Sequence, residues 1–457
     1  MAIECSYYLE PLDTTDISRR FLEAFAAILA HSNYSMVLDA ACRVSSRCGR
    51  CTSTCPVFQA SEDPRDIPCE RSELLLKVYR RYFTPGGTIR ARIGPPFELD
   101  EAYLNTMAEE YYRCTACRRC KNDCPMGIDH GLITHLARWA LSEVGIVPKA
   151  LVVATREQLE GTTRNTSAIP KAALLDTCEF LEEDCADDHS LKIEFPIDKE
   201  GCEYVFFPAV SDYLLEPDTL MGNAAVMSAT KGSWTIGTKA YDGINYGLFY
   251  SDRMLDRIVS MEAEEVKRLG AQKILIGECG HASRSAKAFV RTFCGADNAP
   301  EVVNFMEYTH KAWKDGLLKL KQGAIAERTT YHDPCNIARS GWIIEQPREL
   351  LRHICADFVD MTPNGRENYC CGGGGGTVSI DEIRQFRTKV GGATKAEQIR
   401  RTGAELLVAP CANCKKQLAE VCEDHGLDHV HVVGLHDLLL KALIPPEHMI
   451  ISEGEEA

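Results

Sequence analysis

Two features that define common protein classes are missing from this 457-residue sequence. No stretch approaches the roughly 18 to 20 uninterrupted apolar residues of a membrane-spanning helix, so we expect any membrane connection to run through a partner. The N-terminal residues, Met1 to Glu10, carry acids where a signal peptide needs a basic patch. We therefore expect a cytoplasmic, reducing compartment, in which cysteines serve metal binding or redox chemistry and do not form a disulfide framework.

Positive charge is also scarce, because 51 Lys and Arg face 66 Asp and Glu, which gives a net charge of -15. This balance argues against a nucleic-acid partner, whose backbone is bound by clustered basic residues. The basic residues that lie among the densest cysteines either tune anionic metal centres or form an ordinary solvated face. They are Arg43, Arg47, Arg50, Arg113, Arg118, Arg119 and Lys121.

Nucleotide-binding loops are absent as well. No G-x-G-x-x-G loop follows a strand-like run, which disfavours a flavin-dependent or nicotinamide-dependent oxidoreductase. The glycine run from Gly372 to Gly376 is not followed by Gly-Lys-Ser/Thr, so it does not have the pattern of a phosphate-binding loop.

Cysteine, in contrast, is abundant, with 22 residues. The clearest motif is Cys114-x2-Cys117-x2-Cys120-x3-Cys124-Pro125. A cubane 4Fe-4S cluster needs thiolates from several sides; three come from such a tight loop, and the fourth cysteine binds a second cluster. Structural zinc prefers two separated pairs of ligands, so this spacing predicts iron-sulfur chemistry.

A related motif lies upstream, at Cys48-x2-Cys51-x3-Cys55-Pro56, but Ser45 occupies the position of its first cysteine. We interpret Cys42 as the displaced ligand, after an insertion in the loop; the alternative is a three-cysteine cluster with a labile iron. Cys69 has no predicted role. The crossover rule of two-cluster ferredoxins assigns Cys42, Cys48, Cys51 and Cys124 to the first cluster, and Cys55, Cys114, Cys117 and Cys120 to the second.

Five further cysteines form a third set: Cys335, the pair Cys370-Cys371, and Cys411 with Cys414. Neighbouring cysteines do not share one tetrahedral zinc or one disulfide without strain, whereas five thiols from three loops can surround a larger, irregular cluster. The glycines after the pair would let backbone approach such a cluster closely. Two of the set, Cys335 and Cys411, each follow a strand-like run and precede a helical one.

The organisation of the chain follows from its periodicities. Residues 1–175 have helical spacing, residues 176–201 are acidic and are predicted to be an irregular linker, and the remainder alternates short apolar runs with amphipathic helices, as in an α/β domain. This part contains two similar halves, 202–325 and 326–450, because three short segments recur in the same order, each displaced by about 126 to 132 residues.

The cysteine set resembles the cysteine-rich CCG domain of heterodisulfide reductase. A two-cluster helical ferredoxin module followed by two CCG halves is similar to its D subunit, over nearly the whole chain. Two segments, Glu278–Ala282 and Tyr241–Phe249, look most like the K subunit associated with dissimilatory sulfite reduction, and redox complexes of sulfate reducers carry similar subunits. The resemblance implies a non-cubane 4Fe-4S cluster at the five cysteines and two electron-carrying cubanes.

The first half departs from this pattern. Ala209 stands opposite Cys335, Ala282 stands opposite Cys414, and no cysteine pair lies between them, so a second non-cubane cluster is not expected. Cys279, opposite Cys411, is either an auxiliary thiol facing the active cluster or an inert buried residue. Two histidines, His281 and His332, flank these loops and either supply protons to a departing thiolate or have a structural role.

These expectations combine into one hypothesis of function. The chain is predicted to be one component of an oxidoreductase complex, in which it passes electrons through two cubanes to the five-cysteine cluster, where a disulfide or trisulfide bond is reduced or formed. The implied partners are a membrane cytochrome b or quinone-reactive subunit, which would hold the chain at the cytoplasmic face, and a sulfur substrate. The alternative is a non-catalytic electron conduit between a quinone-linked subunit and a soluble enzyme.

Overall fold

The computed structural model describes residues 16–31, 33–87 and 97–451. They form two compact units. The first comprises residues 1–152, 248–252 and 369–395, and the second comprises residues 153–247, 253–368 and 396–457. The acidic N-terminal residues 1–10, on which the expected compartment depends, lie outside the described residues.

The first unit is mainly helical, as the N-terminal sequence predicts. Its helices surround an apolar core to which Phe21, Phe25, Leu75 and Leu136 contribute fully buried side chains. Short loops between the helices carry the cysteine motifs. The helices are α1 (Ile17–His31), α2 (Tyr34–Val44), α3 (Pro56–Ser61), α4 (Pro68–Tyr82), α5 (Glu101–Tyr112), α6 (Arg119–Asn122), α7 (His130–Ser142) and α8 (Lys149–Glu160), the last extending past residue 152.

No single helix among the described residues has the length and apolar character needed to cross a bilayer. Ile17–Ala30 and Tyr34–Val44 reach that criterion only when they are counted together, and they are bent by 103° at the break between them.

The second unit contains two parallel sheets. The first has the strand order β2-β1-β3-β4, and the second has the order β5-β6-β7. Parallel strands need helical crossovers, and the intervening segments supply them. The strands are β1 (Tyr204–Phe207), β2 (Trp234–Thr235), β3 (Lys273–Ile276), β4 (Glu301–Asn304), β5 (Thr329–Tyr331), β6 (Leu406–Val408) and β7 (His431–Val433). This architecture confirms the predicted α/β class.

Helices follow most of these strands. The described helices after residue 170 are α9 (Lys171–His189), α10 (Asp212–Leu215), α11 (Pro217–Thr230), α12 (Gly247–Tyr250), α13 (Asp252–Arg268), α14 (Gly280–Cys294), α15 (Phe305–Lys314), α16 (Cys335–Gly341), α17 (Glu345–Ile354), α18 (Arg384–Phe386), α19 (Ala393–Thr402), α20 (Ala412–Asp424) and α21 (Leu435–Ala442). Of these, α18 lies in the first unit. The recurrence in the sequence has a structural counterpart, because β1-β3-β4 and β5-β6-β7 have the same order and the same parallel sense.

Two predicted boundaries differ from the structure. Most of the acidic segment 176–201 is not irregular, because α9 runs from Lys171 to His189 and buries Leu174, Cys178, Leu181 and Cys185 on one side. The region 326–450 is not one compact half either. Its residues 369–395, with the Cys370-Cys371 pair and the glycine run, belong to the first unit.

Gly222 lies at a close contact between two helices of the second unit. A Cβ atom at this position of α11 would lie 2.2 Å from the backbone oxygen of His436 in α21. Replacing Gly222 with Ala should therefore destabilise the protein by about 1–3 kcal/mol through overpacking, which lowers the melting temperature by about 2–4 °C for each kcal/mol. Gly86→Ala is the control, since a Cβ there meets nothing within 4 Å. Calorimetry that shows equal melting temperatures for the two variants would contradict this packing.

Candidate iron-sulfur sites

Four cysteines from two motifs line one cavity in the first unit. Cys55 lines it just before α3, the loop after α5 supplies Cys114 and Cys117, and the short helix α6 supplies Cys120. This is the set that the crossover rule assigns to the second cubane. Burial raises the pKa of Cys55 to about 12 and holds that of Cys120 well above its usual range. Iron that binds the thiolates would offset the free-energy cost of ionising these buried cysteines. The donor set therefore fits an iron-sulfur cluster.

A second cavity contains the remaining motif cysteines. Cys48, Cys51 and Cys124 line it, as the crossover rule predicts, and so does Ser45 at the position of the absent first cysteine. The fourth cysteine in its wall is Cys69, which the sequence left without a role. Hydrogen bonding with the Cys51 thiol lowers the pKa of Cys69 to about 7, although its burial acts in the opposite direction.

The structure places Cys42 elsewhere. It lies in the last turn of α2, where its side chain packs against the apolar helical core and its sulfur accepts a hydrogen bond from Nη1 of Arg80 at 3.9 Å. Cys42 is not one of the described residues that line the cavity. The helix continues through Cys42 to Val44, so Cys42 does not lie in an inserted loop as predicted.

His130 lines both cavities, at the first position of α7. Its Nδ1 is 2.8 Å from Oγ of Ser72, and burial lowers its pKa to about 4. The ring is therefore neutral at neutral pH. Sequence reasoning missed this residue, because no spacing rule relates it to either motif.

The basic residues near these cavities divide into two groups. Arg113 and Arg119 are buried and have structural contacts: Arg113 forms an ion pair of 2.5 Å with Asp66, and Arg119 donates to the Thr54 carbonyl at 2.7 Å. Arg43, Arg47, Arg50 and Lys121 are exposed, and Arg118 is partly buried.

The glycine run packs directly against the loop of the second cavity. A Cβ atom on Gly374 would lie 2.5 Å from the carbonyl oxygen of Thr115, so only glycine fits there without displacement. Arg138, which is fully buried in α7, donates to the carbonyl oxygens of Gly375 at 2.7 Å and Cys114 at 2.6 Å. One guanidinium thus joins the backbone that follows Cys371 to the backbone that carries Cys114.

Both Cys370 and Cys371 are buried at the start of this loop. The Cys370 sulfur accepts a hydrogen bond from the backbone N–H of Gly372 at 3.4 Å, so the glycine run supplies a donor to the thiol. The chain reverses direction through Gly372, Gly375 and Gly376, whose φ angles of 100°, 66° and 82° favour glycine.

The other candidate cysteines lie at the carboxyl ends of parallel strands in the second unit, where α/β sheets usually bind ligands. Cys335 follows β5 and begins α16, Cys411 follows β6 and is the N-cap residue of α20, and Cys414 lies one turn further on. Both helix starts agree with the sequence pattern. Helix N-termini favour thiolate over thiol because of their backbone N–H groups.

Gly280, in the region 202–325, lies next to Cys411 and to the residue that follows Cys335. Its backbone N–H donates to the sulfur of Cys411 at 3.4 Å, and a Cβ there would lie 3.5 Å from Cβ of Asn336, the residue after Cys335. Cys279 immediately precedes Gly280 and is fully buried. Burial, followed by the influence of Cys411, holds the pKa of Cys279 well above its usual range.

The two candidate histidines are buried here. His281 stacks on Tyr246 with ring centroids 5.8 Å apart, and its Nδ1 lies 3.3 Å from the Cys279 sulfur. Burial lowers the pKa of His281 to about 3, so this imidazole is neutral at neutral pH. His332 follows β5, and its backbone N–H donates to the carbonyl oxygen of Val408 at 2.9 Å.

A buried charge network, which the sequence did not predict, supports the helix of Cys411 and Cys414. Lys415 is 1% exposed, donates to Oγ1 of Thr219 at 2.7 Å and lies 3.3 Å from the Glu216 carboxylate. Its burial disfavours the charged form, but Asp212 and the neighbouring carboxylates raise the pKa of Lys415 above its usual value. Burial raises the pKa of Asp212 as well.

Glu278, the residue before Cys279, holds the Cys279 loop in place through contacts with α21 and α20. Its carboxylate is 2.6 Å from Nδ1 of His436 and accepts the backbone N–H of the same residue at 2.9 Å. Although burial opposes ionisation, the hydrogen bond and charge of His436 lower the pKa of Glu278. The Glu278 carbonyl accepts the N–H of Ala412 at 2.8 Å, which joins the Cys279 loop to the start of α20.

Removing the Lys415 charge should leave the neighbouring buried carboxylates without a compensating positive charge. We expect Lys415→Met to lower the free energy of unfolding by about 3–5 kcal/mol, as for other broken buried ion pairs. Lys416→Met changes an exposed neighbour on the same helix and should shift stability by less than about 0.5 kcal/mol. Urea unfolding under anaerobic conditions measures both, and similar midpoints for the two variants would contradict the network's role.

Comparison with known proteins gives two family matches. A 4Fe-4S dicluster domain matches residues 46–128, and a cysteine-rich domain, CCG, matches residues 329–419. The matches contain the two cubane motifs and all five cysteines of the third set. They confirm the predicted order of modules and support iron-sulfur chemistry in the chain.

Similar curated proteins cover most of the chain. An Hdr-like menaquinol oxidoreductase iron-sulfur subunit 2 of Archaeoglobus fulgidus is 28% identical over 93% of this chain and 83% of its own. The D subunit of a dihydromethanophenazine:CoB–CoM heterodisulfide reductase of Methanosarcina acetivorans is 24% identical over 82% and 88%. An EtfAB:quinone oxidoreductase of Syntrophomonas wolfei is 22% identical over 87% and 57%. With the two family matches, these similarities show an iron-sulfur protein that resembles the iron-sulfur subunits of Hdr-like redox complexes.

Proposed function

We propose that this iron-sulfur protein passes electrons to a non-cubane 4Fe-4S cluster held by Cys335, Cys370, Cys371, Cys411 and Cys414, where a sulfur-sulfur bond is reduced or formed. Two cubanes in the cavities of the first unit carry the electrons. The match of the CCG family, which spans all five cysteines, supports this ligand set. The relatedness to a component of a heterodisulfide reductase supports a disulfide or a related compound as substrate.

One observation carries the proposal: the Cys370-Cys371 loop belongs to the unit of the cubane motifs. Arg138 donates to both Gly375 and Cys114, so the backbone after the cysteine pair is hydrogen-bonded to the same guanidinium as the backbone of a cubane ligand. Gly374 permits contact with Thr115 at a distance that a side chain would prevent. This gives a short, packed path from the second cubane cavity to the cysteine pair.

The chain's residues have separate tasks at the proposed centre. A cluster with an accessible iron supplies one-electron steps and a site where substrate sulfur can bind. The five cysteines would hold it, and the five glycines leave room for the backbone near it. Cys279 and His281 lie next to the Cys411 loop. Because burial keeps the His281 ring neutral at neutral pH, this ring is assigned a hydrogen-bonding role, and the Cys279 thiol is assigned the task of holding a proton for a departing thiolate. His332 lies at the end of β5 and is assigned the same task.

The proposed partner is a membrane cytochrome b or another quinone-reactive protein, which docks the chain at the cytoplasmic face. Two relatives are named as quinone-linked proteins: the menaquinol oxidoreductase iron-sulfur protein and the EtfAB:quinone oxidoreductase. These names also favour the second candidate, an electron conduit without a sulfur substrate. Both candidates share the cubanes, and they differ in whether the five-cysteine cluster turns over a substrate.

Cys371→Ser tests the catalytic role. It removes one ligand of the proposed cluster, so disulfide-linked turnover should be abolished, while the electron paramagnetic resonance signals of both cubanes stay unchanged. Cys294→Ser is the matched control, because Cys294 has no proposed role and should retain full turnover. Unchanged disulfide-linked turnover in Cys371→Ser would contradict the proposed catalytic role. Wild-type protein that exchanges electrons with a quinol-linked partner but turns over no disulfide or trisulfide would favour the conduit.

Gly374→Ala tests the electron path. The added methyl group clashes with the Thr115 carbonyl and should displace the loop, so turnover with electrons supplied to the cubanes should fall. The cubane signals and the iron content should remain at wild-type levels, since no ligand is changed. Stopped-flow oxidation of the reduced cubanes by substrate measures the effect, with Gly86→Ala as control. Equal rates in the two variants would contradict this path.

A further inference from the structure

The cavity assigned to the first cluster contains one motif cysteine fewer than a cubane needs. Three thiols come from the two motifs, as Cys48, Cys51 and Cys124, whereas a cubane takes four protein ligands in ferredoxin-type sites. The first motif position holds Ser45, whose side chain lines the cavity. The loop therefore follows the usual course of the motif, and what is absent is the thiol itself.

Cys69 brings a thiol to the same cavity from a different element. It lies in the first turn of α4, directly after Pro68, which begins the helix. Its side chain is 7% exposed, lines the cavity with the three motif cysteines and is a hydrogen-bond partner of the Cys51 thiol. Two thiols in mutual contact at the wall of one cavity are placed as two ligands of one cluster would be.

The neighbours of Cys69 fix this position. Arg71 and Ser72, two and three residues after Cys69 in α4, are buried, and Arg71 forms an ion pair with Asp66 at 3.3 Å. Oγ of Ser72 is 2.8 Å from Nδ1 of His130, which lines the same cavity. The thiol is therefore attached to a helix whose first turn is held in place on both sides.

Cys42 has none of these relations. Its sulfur accepts a hydrogen bond from Arg80, and its side chain packs on the helical core. The last turn of α2, which holds Cys42, is closed by a hydrogen bond of 2.9 Å from the Ser45 N–H to the Ala41 carbonyl oxygen, and Cys42 does not line the cavity.

We propose that Sγ of Cys69 is the fourth protein ligand of the first cluster, in place of the cysteine that the motif lacks. The inference rests on the proposed function only in assuming that this cavity holds an iron-sulfur cluster. It is independent of the five-cysteine centre and of any disulfide chemistry. A cluster with four protein thiolates has no labile iron, so this site is assigned to electron transfer.

The test compares Cys69→Ala with Cys42→Ala in the full chain, purified anaerobically. We expect Cys69→Ala to lose between about one and four irons per chain relative to the wild-type protein, whatever the wild-type total is. The resonance signal of the first reduced cubane should disappear or be replaced by that of a three-iron cluster in the oxidised protein. Cys42→Ala should keep both cubane signals and the full iron content.

A second variant protects the test against misfolding. Ser45→Cys in the Cys69→Ala background restores a thiol at the motif position that lines the same cavity, and it should recover the first cubane signal and the iron. The proposal is overturned if Cys69→Ala keeps wild-type iron and both signals, if Cys42→Ala loses the first cluster, or if the added cysteine restores nothing. Disulfide turnover is not needed for any readout, so a failed proposal of function leaves this result unaffected.

Discussion

The buried guanidinium of Arg138 joins the two parts of the first unit that matter most for its chemistry. It donates to Tyr111 at the end of α5, to Cys114 in the cubane motif and to Gly375 in the glycine run. An arginine can serve three carbonyls because its donors form a rigid planar fork. The contact attaches a segment distant in the sequence to the helical unit, so the Cys370-Cys371 pair lies on the unit that carries the two N-terminal cysteine motifs.

In the second unit, buried charged side chains hold the Cys279 and Cys411 loops in place. Glu278 accepts from His436 and joins its own loop to the start of α20, while Lys415 is surrounded by carboxylates beneath the same helix. Such groups cost desolvation energy and persist only when they are paired. The region 202–325 lacks counterparts of most cysteines of the third set, yet its Cys279 loop contacts the Cys411 loop through Gly280.

Local spacing predicted which cysteines line a common cavity wherever they share one short segment. The run from Cys114 to Cys124 and the crossover that brings Cys55 to its cavity follow from a repeated motif, and the α/β class follows from alternating apolar runs. Spacing failed for Cys69, because the residue reaches the cavity from a separate helix, and nearness in sequence favoured Cys42 instead. A cysteine directly after the helix-starting Pro68 was the available signal. The acidic segment at α9 was mistaken for a linker because its charges conceal a one-sided apolar stripe.

The central claim is that the chain carries three four-iron clusters, of which one is held by the five cysteines. Electron paramagnetic resonance on anaerobic protein, combined with an iron count on the same sample, tests it most directly. The account predicts about 12 irons per chain, with two cubane signals on reduction and a third, distinct signal from the five-cysteine centre. About eight irons and only the two cubane signals would contradict it and leave a ferredoxin module without a catalytic centre.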